Sequence, residues 1–528
     1  MDTTFTSGTT ITSSWLNNVN RKIYFNEVLA SSYGAVGDGT ADDLASILAA
    51  LGALLLKGGG LVRLESGKSY RVSAAIPLGS FPNCGIVGDG TPEIFAPASS
   101  FNNTNLATKY TSTSCVISVI GGLVSPFTPA KNNTIVGIKI RSEVSDGRAV
   151  DAIASRNAEN LIVCSNEIYG FPVGCGLRAS TLSGRCLVAF NHIYSFTTAA
   201  AWPSQPQISG IEIDGDRVNN TGSRGVWITH NRIRDLTMTG SALSTYGFQT
   251  DGINLQGTRP APTLLCNVSD NIITNVGEGI DCFGLYNTFN GNIMRDIYDY
   301  GYKFIHGASF NDVTGGNLTE IGRAGIVVAG SGISGVGDTD RNSFSNVTIV
   351  SINPNNRAIG NPACFAIEDN VGTAGKVRNT IVNGGTWAMG TYGQYGLCDV
   401  STGNGNIFTD VAMFEGAGVA GYIRSDNQAS VVRLAGSSGY RSNDSPATIA
   451  SDGSITPIAD TVFVSGTSAI TNINVQTRHR RGGMITLIPT GAWTTTTAGN
   501  IAVASTAVVG KALHFTYSPS TSKWYPSY

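Results

Sequence analysis

The sequence predicts an all-β chain wound into a three-sided solenoid of parallel strands, with one capping helix near its start and a small β-sandwich at its end. Three observations predict it. The chain has 528 residues, more than one hydrophobic core normally serves, so it either divides into domains or grows along one axis as a repeat. It holds 65 glycines and only 13% charged residues, with long runs of Ser, Thr, Asn and Val, which is a strand-and-turn composition. Two short phrases alternate down its middle, and one of each makes a coil of roughly 22 to 27 residues where no insertion intervenes.

Residues 1–30 are a polar prelude in which Trp15, Leu16 and Val19 stand at helical spacing. The piece is too small for a core of its own and is expected to dock on another segment or on a partner. Residues 31–95 hold the one predicted helix, running on from Leu44. Thr40 with Asp43 reads as a capping box, acids fill the first turn, and Gly58 to Gly60 stop the helix. Its apolar face is expected to cover the open end of the strand stack.

Residues 96–440 carry the repeats. The first phrase is a glycine followed by a strand, as in Ser209-Gly210-Ile211-Glu212-Ile213-Asp214, Asp251-Gly252-Ile253-Asn254-Leu255, Glu278-Gly279-Ile280-Asp281-Cys282, Tyr300-Gly301-Tyr302-Lys303-Phe304 and Ala324-Gly325-Ile326-Val327-Val328. The first and third residues after each glycine are apolar, the period-two alternation of a half-buried strand. The second phrase places an asparagine before a closing apolar residue: Asn166, Asn191, Asn231, Asn271, Asn292 and Asn317. Stacked at one corner, these asparagines would bond the backbone of the next coil. Long insertions at 194–209 and 234–250 bring Phe196, Trp202, Tyr246 and Phe248 to one flank, where they could stack on sugar rings or simply pack on the solenoid. Residues 441–528 follow a polar linker around Ser442 to Pro446 and read as short strands, including Met484 to Ile488. The run Arg478-His479-Arg480-Arg481 reads as a solvated turn.

The phrase from Tyr33 through Gly34, Gly37, Asp38 and Gly39 to Asp42 and Asp43, followed by Gly60 to Leu64 and Ile86 to Gly90, resembles the opening of the pectate-lyase-like right-handed parallel β-helix superfamily. Within it, the polar prelude is similar to those of bacteriophage tailspikes and tail-fibre depolymerases. The resemblance implies a right-handed β-helix, a homotrimer in the virion tail, attachment to other phage tail proteins through the N-terminus, and a bacterial surface polysaccharide as ligand. Such a protein is made in the host cytoplasm and acts outside, at the host cell surface. The C-terminal module of such chains trimerises the protein or binds carbohydrate.

If the glycine phrases stack in register, residues at equal offsets form columns on the outer face. One column is Glu212, Asn254, Asp281, Lys303; another is Ser209, Asp251, Glu278, Tyr300; Asp214 belongs to a third. Three coils thus concentrate Glu212, Asp214, Asp251, Glu278 and Asp281 on one patch, where like charges raise one another's pKa. One protonated and one ionised carboxyl are what glycosidic hydrolysis needs. Asp251 also reads as an ordinary corner residue, and Glu212 and Asp214 as a solvated face. Thr250-Asp251-Gly252 and Asp281-Cys282 are further similar to motifs of polygalacturonases, which implies Asp251 and Asp281 as the catalytic pair. Ile280 replaces an acid of that motif, and Tyr300-Gly301-Tyr302 stands where the family has Gly-His-Gly, with His306 displaced.

The expected activity is hydrolysis of a surface polysaccharide by Asp251 and Asp281, supported by Glu278, Glu212 and Asp214. Trp202, Tyr246, Phe248, Tyr300, Lys303 and His306 are the expected substrate-binding residues. A lyase is the other enzymatic reading, with Lys303, His306 or Tyr302 as base and Arg323 neutralising a uronate. A receptor fibre that holds glycan without cutting it is the third. The same carboxylates would suit calcium, but no Asp-x-Asp-x-Asp loop and no His pair at metal spacing is present, so neither metal nor cofactor is expected. A formal net charge of -2 gives no reason to expect nucleic acid, and no apolar run has the length of a membrane span. Nine cysteines without a Cys-x-x-Cys pair suggest buried thiols rather than a disulfide framework.

Overall fold

Apolar residues at alternate strand positions, repeated coil after coil, leave one way to bury them: strands from successive coils pair in parallel and turn the same face inward. A computed structural model shows this arrangement. It describes residues 26–527 apart from 123–127, 201, 203–205, 207, 216–221, 258–260, 332–335, 357–361, 370–374, 415–420, 426–430, 434–447, 458–460 and 476–482, and side chains are not described for 246 and 421–433. The readings of Trp15, Leu16 and Val19, of the Ser442 linker, of the basic run at 478–481 and of the Tyr246 ring lie outside the described residues.

Three parallel sheets of 14, 13 and 12 strands run along the solenoid. One coil shows the path: Ile162–Cys164 joins the first sheet, Glu167–Tyr169 the second and Gly174–Ser183 the third, and Leu187–Ala189 returns to the first beside Ile162–Cys164. The chain is a right-handed parallel β-helix. Its interior is a continuous apolar column, with Ile211, Ile253 and Ile280 stacked in one row and Ile213, Leu255 and Cys282 in the next.

Two buried asparagine ladders hold the corners. Asn166, Asn191, Asn231, Asn271 and Asn292 each pass a side-chain bond to the next at 2.9–3.0 Å, across 25, 40, 40 and 21 residues of sequence. Asn317 is exposed and stands outside this ladder. Gly316 takes the corner instead, because the phrase there is shifted by one residue toward its closing Leu318. A second ladder, Asn287 to Asn311 to Asn342, was not read from the sequence.

The glycines of the first phrase are needed for close approach, not for a special backbone angle. A Cβ on Gly252 would meet Ile273 Cγ2 at 2.5 Å and the Gly279 carbonyl oxygen at 2.6 Å, so each coil lies too near the next for any larger residue.

Helix α1, Leu44–Leu55, buries Ile47, Ala50, Leu51 and Leu54 in the main core. The capping box does not form. Asp43 turns its carboxylate away from the helix to the backbone N–H groups of Val36 and Gly37, and no acid lies in the first turn. Residues 448–527 form a separate core around Trp493 and Trp524, built on a five-stranded mixed sheet and a two-stranded parallel one.

Candidate active site

Six consecutive strands of the third sheet build the site: β1 (Asp151–Glu159), β2 (Gly174–Ser183), β3 (Ile208–Asp214), β4 (Asp251–Leu255), β5 (Glu278–Cys282) and β6 (Tyr300–Phe304). Register places Arg178, Glu212, Asn254, Asp281 and Lys303 in one column, and Ser209, Asp251 and Glu278 in its neighbour. In a plain strand, residues three apart face opposite ways. Asp251 and Asn254 nevertheless bond each other at 2.6 Å, because the pairing passes over Gly252 and the alternation slips there.

The columns are not a solvated face. Glu212, Asp251, Asn254, Glu278 and Asp281 are all buried, with Asp251 retaining 6% exposure and Asp281 4%. Asp251, Glu278 and Asp281 converge, with one carboxylate oxygen of each lying within 4.8 Å of the others. Burial, with the Glu278 charge next, pushes the Asp251 carboxyl up to about 7. Burial also pushes Asp281 well above the usual carboxylate range, against the pull of Lys303.

Lys303 pairs with two of the three acids. Its Nζ donates to both Glu278 oxygens at 2.9 Å and lies 3.5 Å from Asp281 Oδ2. Burial works against its charge, yet the neighbouring carboxyls of Asp281 and Glu278 hold its pKa well above that of free lysine. A lyase base must give up its proton near neutral pH, and these neighbouring carboxyls work against that at Lys303. Tyr302 points into the core, where its hydroxyl accepts from Asn292 Nδ2 at 3.1 Å, so it is no surface base either.

Two of the five acids stand apart from the cluster. Glu212 accepts from Arg178 Nη1, and Arg178 Nε donates to Asp151 Oδ2 at 2.8 Å, making a buried carboxylate–guanidinium–carboxylate bridge. Asp214 accepts from the backbone N–H of Gly215 at 2.7 Å, within its own turn. Of the aromatics, Trp202 is buried in the main core and Phe196 packs on Phe171 with ring centroids 5.3 Å apart, so neither offers a face to a sugar. Phe248 is half-buried and stacks on Tyr298 at 4.4 Å, following the short helix α2, Gly240–Tyr246, inside the insertion. Tyr300 is buried beneath Arg323, whose guanidinium lies 5.1 Å from its ring centroid. His306 lies beyond β6, its Nδ1 3.4 Å from Ser331 Oγ and its ring edge against Phe283.

Four residues of the site were missed. Arg178 stands at the offset of Glu212 in an earlier glycine phrase, Cys175-Gly176-Leu177-Arg178, and extending the repeat upstream would have found it. Asn254 was in the column but carried no role. Asp151 and Asp299 have no phrase to mark them. Asp299 is partly buried, and burial with the Glu278 charge pushes its carboxyl up to about 7. A cavity of about 170 Å³ opens beside Arg178, lined by Asp151, Ser114, Thr108 and Lys109. It lies three strand spacings, about 14 Å, along the sheet from Asp281.

No family model matches the chain, and no curated protein sequence matches it. Solved structures do. The catalytic domain of a GH87 α-1,3-glucanase in complex with nigerose is 14% identical, with a TM-score of 0.52 over 77% of this chain and 68% of that one. Tailspike protein 3 of bacteriophage CBA120 is 15% identical, with a TM-score of 0.46 over 84% of this chain and 66% of that one. The A-module of the Azotobacter vinelandii mannuronan C-5 epimerase AlgE6 is 16% identical, with a TM-score of 0.45 over 78% of this chain and 99% of that one. The likeness at these identities is one of fold, and the chain has the right-handed parallel β-helix on which such proteins are built.

Proposed function

We propose that this chain is a tailspike-type depolymerase that hydrolyses glycosidic bonds of a bacterial surface polysaccharide. The observation that carries the reading is the convergence of Asp251, Glu278 and Asp281 beside one lysine, all three acids buried, with burial raising Asp251 and Asp281 above the usual carboxylate range. Asp281, whose carboxyl burial pushes well above the usual carboxylate range, is the general acid that protonates the leaving oxygen. Asp251, ionised above about pH 7, takes a proton from the attacking water. Glu278, ion-paired to Lys303, supplies negative potential for the positive charge that develops at the sugar carbon. The likeness of fold to an α-1,3-glucanase supports hydrolysis of a glucan-like linkage as the reaction class. The lysine that would serve a lyase is instead locked as a counter-ion, which weighs against elimination.

The glycan is taken to lie along the third sheet, over Asp251 and Asp281 and beneath the Phe248 loop, toward the cavity at Arg178. The tail location, the homotrimer and the bacterial host rest on the resemblance of residues 31–95 and the prelude to tailspike openings. Residues 441–528 are proposed as a trimerisation or carbohydrate-binding module.

The test is to incubate the full chain with capsule, exopolysaccharide or O-antigen from candidate hosts and to examine the products. New reducing ends without ultraviolet-absorbing unsaturated ends are expected, together with loss of cleavage by about 10²-fold or more in Asp281→Asn. Unsaturated ends would replace the reading with a lyase, and full turnover by Asp281→Asn would remove the acid assignment.

A further inference from the structure

Two oxygens in the site are buried without a hydrogen-bond partner: Asn254 Oδ1 and Asp281 Oδ1. They belong to residues paired directly across β4 and β5, where one strand spacing of about 4.8 Å separates their backbones. Two acceptor oxygens on facing residues, each buried without a donor, are costly, on the scale of any unsatisfied buried polar group. One proton placed between them removes both defects. The other end of the same amide is engaged, since Asn254 Nδ2 donates to Asp251 Oδ2 at 2.6 Å.

We propose that Asn254 is a positioning residue whose side-chain amide assigns the single proton of the pair to Asp281 and keeps Asp251 ionised. An amide has one donating and one accepting end, so bridging two carboxyls it requires one of them to be an acid and the other an anion. With Nδ2 on Asp251, the Asp281 Oδ1–H donates to Asn254 Oδ1. Of the remaining groups facing the pair, the Ser209 hydroxyl favours an ionised Asp251, while Lys303 pulls against the proton on Asp281 and is outweighed by burial. Lys303 Nζ stands against Asp281 Oδ2 and neutralises Glu278, Ser209 Oγ lies 3.3 Å from Asp251 Oδ2, and Glu212 on β3 is occupied by Arg178 and by the Cys175 thiol. Asp299, beside Glu278, is the remaining carboxyl in this neighbourhood whose pKa is raised.

The assignment of acid and base that follows deepens the hydrolase reading and rests on it; the proton arrangement itself does not. In the hydrolytic step the Asp281 proton goes to the leaving glycosidic oxygen as its bond to the anomeric carbon breaks. A water oxygen bonds to that carbon and its proton goes to Asp251. The pair then holds its proton at the other end, and the amide satisfies it by turning over, with Nδ2 to Asp281 and Oδ1 to Asp251.

The test needs no substrate. Infrared spectra of the full chain with carbon-13-labelled aspartate, in an Asp299→Asn background at pH 8, should show one protonated aspartate carboxyl. That band should vanish in Asp281→Asn and persist in Asp251→Asn. In Asn254→Leu, of similar volume, its titration midpoint should fall by about one pH unit, because the protonated form loses its acceptor. A band lost in Asp251→Asn and kept in Asp281→Asn would overturn the assignment, as would absence of any protonated aspartate, or an unchanged midpoint in Asn254→Leu. Should Asn254→Leu fail to fold, the comparison of the two aspartate variants decides alone. A chain that shows this band and cleaves no glycan would lose the hydrolase reading and keep the proton arrangement.

Discussion

The Nζ of Lys303 stands 2.9 Å from each carboxylate oxygen of Glu278, on the next strand of the same sheet. That contact places a fixed positive charge inside a cluster of three buried carboxyls and so sets which of them ionise at a given pH. Lys303 lowers the pKa of Asp251, opposing burial and the Glu278 charge. Removing it in Lys303→Met leaves those two effects unopposed. The acidic limb of the activity profile, expected near pH 7 from Asp251, should therefore move to higher pH. The rate at the optimum should fall by about 10²-fold, as the buried Glu278 loses its ion-pair partner. Initial rates of reducing-end release between pH 5 and 9 check both.

Arg178 is held between Asp151 and Glu212, all three being nearly inaccessible to water. Breaking such a bridge from its centre strands two charges. Arg178→Met should cost about 3 to 5 kcal/mol of stability. Removing the charges as well, in Arg178→Met with Asp151→Asn and Glu212→Gln, should recover most of the loss. Thermal melting of the wild type and the two variants, followed by circular dichroism of the strands, gives the comparison.

Asp299 has its pKa raised to about 7 in the folded chain, against 3.8 when free. Between about pH 4 and 7 the folded chain holds a proton there that the unfolded chain has released, so this group's contribution to stability falls as pH rises through that window. Above pH 7 the loss is complete, on the order of 4 kcal/mol at most. Asp299→Asn removes the slope. Its denaturation midpoint should match the wild type near pH 4 and exceed it at pH 8, and equal midpoints at both would show that Asp299 ionises freely.

Much of the solenoid was legible because each coil restates the same local rule. Inward residues such as Ile211, Ile253 and Ile280 repeat at a fixed offset from a glycine, and a repeat met several times needs no long-range information to be recognised. The same register predicted the columns that hold Asp251, Glu278 and Asp281. The helix cap failed because Asp43 had a competing use, bonding backbone groups of the segment before it, that a capping pattern alone does not reveal. Of the loop aromatics, Trp202 and Phe196 took the packing alternative rather than the sugar-stacking one. Both are buried in the apolar column, where their rings leave water as part of the fold.

By itself the sequence determined the parallel winding, the glycine and asparagine positions and the list of acids one sheet could carry, since all of these follow from period and offset. Tertiary structure decided which acids meet. Asp251, Glu278 and Asp281 converge on Lys303, while Glu212, in the same column as Asp281, is drawn off by Arg178 and Asp214 by the N–H of Gly215. Offset along a strand assigns a face, but charge and burial on the neighbouring strands assign a partner. Those depend on coils that lie 21 to 40 residues away in sequence and about 4.8 Å away in space.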